Sequence, residues 1–228
     1  MNKRIIASII IKIIAIISCI YGIIKTSYSP LILTYFTTLS NIFISIMLFI
    51  FLIKDMCLLI KKEKIVFNNY LYITKFLATI SITLTFGVFL VILAPTFEGG
   101  IISAYLSFEG GSFCLHFITP ILAIIDFLIF DNDYKSKNSH ALYAVIPPLF
   151  YVFFIVLLSS LGVRWGTMSA PYNFLNFGAS TGWFGFDLSL YSFETLGIGV
   201  FYMIILLSVI FIFIGIAFLN IRKKYQNT

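Results

Sequence analysis

Six strongly apolar runs dominate the chain, and short polar or glycine-rich segments separate them. They cover about residues 5–24, 31–53, 76–94, 112–130, 142–161 and 196–219. A helix needs about 20 residues to cross the hydrocarbon core of a bilayer, where it satisfies its own backbone hydrogen bonds. The runs therefore predict an all-α fold: an integral membrane bundle of six transmembrane helices that forms a single domain over residues 1–228.

Composition excludes the main alternatives. Hydrophobic residues make up 61% of the chain and charged residues 11%, whereas about a quarter of a soluble domain is charged. A chain this apolar cannot cover a water-facing surface, which excludes a soluble enzyme and a disordered tail. The net charge of +6 is typical of a nucleic-acid binder, but the Lys and Arg lie between apolar runs. We therefore expect membrane lipids, and no nucleic acid, as partners.

The basic residues are divided unequally between the two sides of the predicted bundle. With the N-terminus inside, twelve Lys and Arg, including Lys54 and Lys75, lie on the inner side. The outer side has only Lys25 and Arg164, and Lys12 lies within the first run. Cytoplasmic segments carry the excess of Lys and Arg in membrane proteins. We expect both termini in the cytoplasm, and the Ile- and Phe-rich runs with Lys- and Asn-rich tails favour a bacterial plasma membrane.

The sequence predicts no cofactor. Cys19, Cys57 and Cys114 are isolated, and no His or Cys pair has the spacing of metal ligands. We therefore expect buried, inert thiols and no metal, nucleotide or haem. His140 lies near the cytoplasmic end of the fifth run, where we expect it to be solvated.

One face of the second run is rich in hydroxyl and amide groups. This stripe consists of Thr34, Thr38, Asn41 and Ser45, with Thr37 and Ser40 beside it. Residues at this spacing share one side of a helix, and polar side chains within a bilayer turn toward the interior of the bundle. The stripe indicates either hydrogen bonding between helices or a functional site, and both interpretations stay open.

The fourth run contains a histidine and an aspartate. At helical rise, Thr37 and His116 lie roughly 9 Å and 6 Å below the outer boundary, so a hydroxyl and an imidazole share one depth. Such a pair can serve as nucleophile and base; the alternative is a neutral His116 that a neighbouring hydroxyl satisfies. Asp126 lies roughly 15 Å deeper than His116. It can pair with Lys12, either as a structural ion pair or as part of a proton relay.

Two outer loops have distinctive sequences. Residues 97–100 and 108–111 are both Phe-Glu-Gly-Gly, which indicates two tight acidic turns, either plain surface turns or a cation site. The longest loop, about residues 162–195, is rich in aromatic side chains, which are typical of the membrane–water interface. We expect this loop to fold back as a lid. Its relevant residues are Trp165, Pro171, Tyr172, Phe174, Trp183 and Phe184.

Three segments together resemble the androgen-induced family of six-span membrane threonine hydrolases and its bacterial relatives. Segment 35–41 (YFTTLSN) resembles the second-span motif, and segment 115–120 (LHFITP) resembles the His-to-Pro motif of the fourth span. Segment 170–175 (APYNFL) resembles the Tyr-Pro-Phe-Leu element before the last span. Asp126 matches an acidic position that is frequent in the bacterial branch.

The resemblance implies a reaction and the residues for it. Animal members of the family cleave fatty acid esters of hydroxy fatty acids with a Thr nucleophile and a His. Carried over by motif, Thr37 is the nucleophile and His116 is the base. Thr38 competes for the role of nucleophile, but the Phe-Thr match favours Thr37.

The leading hypothesis is therefore an intramembrane lipid-ester hydrolase that acts on a fatty acyl ester. In it, Thr38, Ser40 or Asn41 either stabilises the oxyanion or supports the site. The alternatives are a small proton-coupled transporter built on Lys12 and Asp126, or a non-catalytic membrane scaffold. Against a transporter, the sequence offers no second buried acid and no inverted repeat. A Pro-Pro pair at residues 147–148 does interrupt the fifth run near its start.

Overall fold

The computed structural model describes residues 2–131, 133–190 and 197–226. Across these residues the regular secondary structure is helical, without a β-strand. Six helical segments are long and apolar enough to span a membrane, which confirms the all-α prediction with its six long helices. These segments are Lys3–Thr26, Phe36–Ile60, Asn69–Thr96, Phe108–Phe130, Asn138–Ser160 and Val200–Lys224.

The long segments contain α-helix together with wider π turns and narrower 3-10 turns. The main α-helices are α1 (Asn2–Thr26), α2 (Phe36–Ile60), α3 (Asn69–Val88), α4 (Gly100–Leu106), α5 (Thr119–Phe130), α6 (Ile146–Ser160) and α7 (Val200–Gln226). Other helical turns extend three of them: the π turn Phe89–Leu93 after α3, the π turn Cys114–Ile118 before α5, and the 3-10 segment Asn138–Val145 before α6. Leu196, the predicted start of the last run, lies outside the described residues.

The second helix begins later than residue 31, its predicted start. A 3-10 turn over Pro30–Thr34 and the extended residue Tyr35 precede α2. Pro30 suits the first turn because a helix leaves the N–H groups there unpaired. Thr34 consequently lies outside α2, and its hydroxyl accepts a hydrogen bond from Trp165 Nε1 at 2.9 Å. Of the predicted polar stripe, only the residues from Thr38 onward therefore lie in the α-helix.

A proline explains the wide turn in the fourth segment. Pro120 has no N–H to donate to the carbonyl of His116, so the regular hydrogen-bond pattern fails there. The chain widens into the π turn Cys114–Ile118 immediately before this proline. His116 lies in the middle of that turn, and π turns occur frequently at functional sites.

Successive long helices run in opposite directions. Asp55, near the end of α2, contacts Lys12 near the start of α1. Asp126, near the end of α5, contacts both Lys12 and Lys75, which lies near the start of α3. We call the end of the bundle that holds the start of α1 and the end of α7 the terminal end, and the opposite end the loop end.

Four buried ionisable side chains and one partly buried one, Asp55, form a charge cluster near the terminal end. They are Lys12, Asp55, Lys75, Asp126 and Asp131. Asp126 accepts from Lys12 at 2.6 Å and from Lys75 at 2.5 Å. Asp55 lies 2.8 Å from Lys12 and Asp131 lies 2.8 Å from Lys75. Burying ions in a low-dielectric interior is costly unless each has an opposite partner, and these contacts provide one for every member.

The charge cluster joins most of the bundle. Its members come from α1, α2, α3, α5 and the residue after α5. Arg222 of α7 adds a contact, because its guanidinium donates to the backbone carbonyl of Asp131. Segment 138–160 contributes no side chain to the cluster among the described residues. Ion pairs thus link four of the six long segments and the hydrogen bond from Arg222 links a fifth, whereas the segment that contains α6 has neither contact with the cluster among the described residues.

The sequence analysis misplaced three of these polar residues. It counted Lys75 among the basic residues that flank the runs on the inner side and found no second buried acid, but Lys75 and Asp131 are both buried. It placed His140 in solvent, whereas His140 is buried and its Nδ1 lies 2.8 Å from the hydroxyl oxygen of Tyr134. In each case an ionic or hydrogen-bonding partner that the sequence analysis did not identify offsets the cost of burial.

The two Phe-Glu-Gly-Gly segments form turns at the loop end. Gly99 and Gly110 have φ values of 84° and 80°, in the left-handed region that favours glycine. Glu98 and Glu109 are exposed, and Glu109 forms an ion pair with Lys25 of α1. No group of three or more His, Cys, Asp or Glu that could hold a metal occurs among the described residues. The surface-turn interpretation therefore describes these segments better than a cation site.

We predict that the charge cluster is essential for stability. Asp126→Asn removes the carboxylate that two buried lysines share, and we expect it to lower the free energy of unfolding by about 3–5 kcal/mol. The control is Glu109→Gln at the exposed ion pair with Lys25, which should cost less than about 1 kcal/mol. Reversible unfolding in mixed micelles measures both, and equal losses in the two variants would contradict the prediction.

Candidate active site

Thr37 lies in the first turn of α2, where the backbone N–H groups have no partner within the helix. Its N–H donates instead to the hydroxyl oxygen of Tyr172, at 3.3 Å. The Thr37 Oγ1 lies 3.4 Å from the same hydroxyl oxygen and 3.4 Å from Nε2 of His116. The structure therefore brings together the two residues that the sequence proposed as nucleophile and base, and adds a tyrosine.

Hydrogen bonds orient the imidazole of His116. Its Nδ1 lies 2.9 Å from the backbone carbonyl oxygen of Ser112, which can only accept a hydrogen bond. The proton of a neutral ring is therefore assigned to Nδ1, which leaves a lone pair on Nε2 directed at Thr37 Oγ1. This is the order of a nucleophile, a base and a group that orients the base. A distance of 3.4 Å is long for this contact, but such contacts shorten when substrate binds.

Phe89 packs flat against the histidine ring. The two ring centroids are 3.7 Å apart, with an angle of 15° between the planes. Phe89 lies in the π turn that follows α3 and His116 lies in the π turn before α5. The two wide turns therefore face each other. The phenyl ring covers one face of the imidazole, and the Ser112 carbonyl holds its Nδ1 atom.

The long loop places a tyrosine on the nucleophile. Pro171, Tyr172 and Phe174, the predicted lid residues, are all buried at the loop end, and Tyr172 packs edge-on against Tyr35. Burial raises the pKa of Tyr172 to about 12, so its hydroxyl stays protonated at neutral pH. Sequence analysis treated Tyr172 only as part of a lid and missed this polar contact, because the loop's path into the bundle cannot be read from composition.

The other polar residues of α2 support the turn that holds Thr37. Ser40 Oγ and Asn41 Nδ2 both donate to the Thr37 carbonyl, at 3.0 Å and 2.9 Å. Asn41 Nδ2 also donates to the Leu115 carbonyl, at 3.2 Å, which ties α2 to the segment that holds His116. These donors are therefore directed at backbone carbonyls, so Ser40 and Asn41 fit the supporting role that was predicted for them better than the oxyanion role.

Thr38 is buried beside Thr37. It lines the same pocket as His116. Among the described residues, however, the hydroxyl within hydrogen-bond distance of His116 Nε2 is that of Thr37. The geometry therefore favours Thr37 over Thr38 as the residue that the imidazole can activate.

Two cavities meet at Thr37. The first has about 580 Å³ of empty space and an almost entirely apolar lining that includes Phe36, Leu84 and Tyr151. The second has about 820 Å³, contains His116, and is lined by hydroxyl-bearing residues at the loop end. Thr37, Phe89, Leu93 and Tyr172 line both cavities. The hydroxyl of Thr37 therefore lies at a boundary between an apolar and a more polar space.

The charge cluster lies away from this boundary. Asp126 follows His116 by ten residues of helix, roughly 15 Å along the axis. The predicted pair of Lys12 and Asp126 is present in the structure, but both carboxylate oxygens of Asp126 are held by lysines. The cluster and the Thr37–His116 site are thus two separate polar regions of one bundle.

Comparisons of the chain with protein-family models, curated proteins and solved structures found no match.

We predict one tautomer for His116. The contact between Nδ1 and the Ser112 carbonyl should keep the proton on Nδ1, so Nε2 should be the unprotonated nitrogen at neutral pH. Nitrogen NMR of protein with labelled histidine distinguishes the two tautomers. His140→Gln leaves one histidine and assigns the signals, and a protonated Nε2 in His116 would contradict the proposed geometry.

Proposed function

We propose that this protein is an intramembrane lipid-ester hydrolase with Thr37 as nucleophile and His116 as general base. The observation that carries the proposal is the contact between Thr37 Oγ1 and Nε2 of His116, 3.4 Å apart, at the boundary between an apolar cavity and a more polar one. The resemblance of three sequence segments to the six-span threonine hydrolases supports the same assignment.

The reaction follows from the positions of these groups. Thr37 Oγ attacks the ester carbonyl while its proton passes to His116 Nε2. The bond from the carbonyl carbon to the alcohol oxygen then breaks, and His116 returns the proton to the departing alcohol. A water molecule attacks the acyl-threonine in the second step with His116 again as base, which releases a fatty acid and restores the hydroxyl.

Tyr172 is the best placed donor for the developing oxyanion. Its neutral hydroxyl lies 3.4 Å from Thr37 Oγ1, and the Thr37 N–H lies on the same side because it donates to that hydroxyl. Donors fixed in advance toward the developing charge are worth several kcal/mol in a site that excludes water. Tyr172 thus takes the oxyanion role in this mechanism, and Ser40 and Asn41 hold the turn.

The two cavities suit the two halves of a lipid ester. The apolar cavity accommodates an acyl chain, since burying apolar surface is favourable and its walls require no hydrogen bonds. The cavity that contains His116 accommodates the alcohol portion and the water. We therefore propose a fatty acyl ester of the membrane as the substrate class.

We further propose that the bundle spans a bacterial plasma membrane with both termini in the cytoplasm. The basis is the excess of Lys and Arg in the segments on the same side as the N-terminus. In this orientation the terminal end is cytoplasmic and the loop end is external. The Thr37 site then lies in the outer half of the bilayer, beneath the long loop.

A proton-coupled transporter is the second candidate. The observation that favours it is the buried pair Asp126 and Asp131, together with Asp55, which lines a polar cleft of about 750 Å³ at the terminal end. Proton flux into proteoliposomes that disappears in Asp126→Asn would support it. The hydrolase is preferred because lysines neutralise these carboxylates, whereas Thr37 and His116 face open space.

We predict that a lipid-like fluorophosphonate labels the wild-type protein covalently. Labelling should fall at least about 100-fold in Thr37→Ala and in His116→Ala, because the first loses the attacking oxygen and the second loses the base. Thr38→Ala is the matched control and should keep its label. In-gel fluorescence measures all four proteins; a label that survives in Thr37→Ala would overturn the assignment of the nucleophile.

We predict that Tyr172→Phe keeps the fold and loses rate. The substitution removes one donor to the oxyanion, which costs about 100-fold in kcat in comparable sites, while KM should change little because the ring still packs against Tyr35. Steady-state hydrolysis of a fatty acyl ester measures both constants. An unchanged kcat would exclude Tyr172 as the oxyanion donor.

A further inference from the structure

A second apolar space lies on the side of the bundle. It has about 970 Å³ of empty volume and is lined by residues from α2, α3 and the first half of α6, among them Leu39, Phe43, Leu77 and Pro147. We call it the lateral groove. Phe43 and Leu77 lie roughly 10 Å and 12 Å from the starts of their helices. The groove therefore lies at mid-height on the flank, where the proposed bilayer has its hydrocarbon core.

The lateral groove has no free polar group on its walls. Its lining residues with a side-chain hydroxyl are Ser40, Ser81 and Tyr151, and the Tyr151 hydroxyl donates to the Thr34 carbonyl at 3.0 Å. Ser81 Oγ donates to the Leu77 carbonyl at 2.8 Å, and Ser40 Oγ donates to the Thr37 carbonyl at 3.0 Å. The donor protons of these hydroxyls are already used, so a ligand that needs hydrogen-bond donors would be poorly satisfied in this space, whereas a hydrocarbon chain would lose nothing there.

Only a thin wall separates the lateral groove from the catalytic cavity. Phe36 and Tyr151 line both spaces. Their rings meet edge to face, with centroids 5.1 Å apart, and the hydroxyl of Tyr151 donates to the Thr34 carbonyl at 3.0 Å. Phe36 is the residue immediately before the proposed nucleophile, so the groove ends within one side chain of the reacting centre.

One side of this wall belongs to the helical segment that contributes no side chain to the charge cluster among the described residues. Tyr151 lies on α6, whose buried residues form a single stripe of Tyr151, Ile155 and Ser159. The charge cluster ties the other long segments together but takes no side chain from segment 138–160 among the described residues. A small movement of α6 that separates the rings of Tyr151 and Phe36 would join the two apolar spaces without breaking an ion pair of the charge cluster.

We propose that the lateral groove is the binding site through which the acyl chain of the substrate enters from the bilayer. The occupant is the hydrocarbon tail of a long-chain ester; the tail passes the pair Phe36 and Tyr151 and lies in the apolar cavity with its carbonyl at Thr37. The inference rests on the proposed hydrolase function and adds to it a route and a selectivity for long acyl chains.

The first test compares two esters on protein in lipid nanodiscs. Leu77→Trp fills the lateral groove without lining the catalytic cavity, and we expect the ratio of palmitate-ester to acetate-ester kcat/KM to fall about tenfold. Phe153→Trp, at an exposed position of α6 outside the groove, is the matched control and should keep the wild-type ratio. An unchanged ratio in Leu77→Trp, or an equal loss for both esters, would overturn the proposal.

The second test separates this inference from the hydrolase proposal, because it needs no catalysis and no variant. A palmitate ester with a photoreactive diazirine in its chain is irradiated with the wild-type protein in nanodiscs. Crosslinks in residues 36–43 and 146–154 support the groove even if wild type hydrolyses neither ester. Crosslinks that lie elsewhere on the helices, and are not displaced by unlabelled palmitate ester, would overturn it.

Discussion

Asp126 is shared by two buried lysines, and much of the bundle depends on this arrangement. Its two carboxylate oxygens lie 2.6 Å and 2.5 Å from Lys12 and Lys75. In an apolar interior, an ion that loses its partner has no water to replace it. Rotation of α1, α3 or α5 about its axis would therefore leave a charge unpaired. Apolar contacts alone are not directional, so the ions fix the orientation of these helices in a way that packing cannot.

That constraint extends to the site at the other end of the bundle. Lys75 and Phe89 belong to one continuous helical segment, and Asp126 and His116 belong to another. Fixing the orientation of both segments near the terminal end therefore limits how the phenyl and imidazole rings can meet near the loop end. Asn41 adds the third element, since it links the Thr37 carbonyl to the Leu115 carbonyl. The contact between Thr37 and His116 that the proposed chemistry needs is thus set by helix orientation as much as by local hydrogen bonds.

The sequence predicts the helices and the two residues proposed for catalysis. It does not predict the contacts of Lys75 and Tyr172, whose partners lie far away along the chain. Hydropathy identifies the six long segments because each contains enough apolar residues by itself, and depth arguments place Thr37 and His116 on one level. Lys75 is different, because a lysine at the start of an apolar run looks like a flanking residue unless its partners are known. Its partners Asp126 and Asp131 lie about 50 residues away along the chain. The contact of Tyr172 with Thr37 depends in the same way on the path of a long loop.

The proposed hydrolysis of a lipid ester has two conflicting requirements, and in this proposal different helices meet them. The reacting groups must stay fixed to within fractions of an ångström, yet the chain of the substrate must pass between helices. Thr37 and His116 belong to segments whose helices the charge cluster connects. α6 is held by an apolar stripe, by aromatic contacts and by the hydrogen bond from Tyr151 to Thr34. Aromatic side chains can shift past one another at less cost than buried ions can separate. The proposed route for the acyl chain therefore passes the helix that can move without separating an ion pair of the charge cluster.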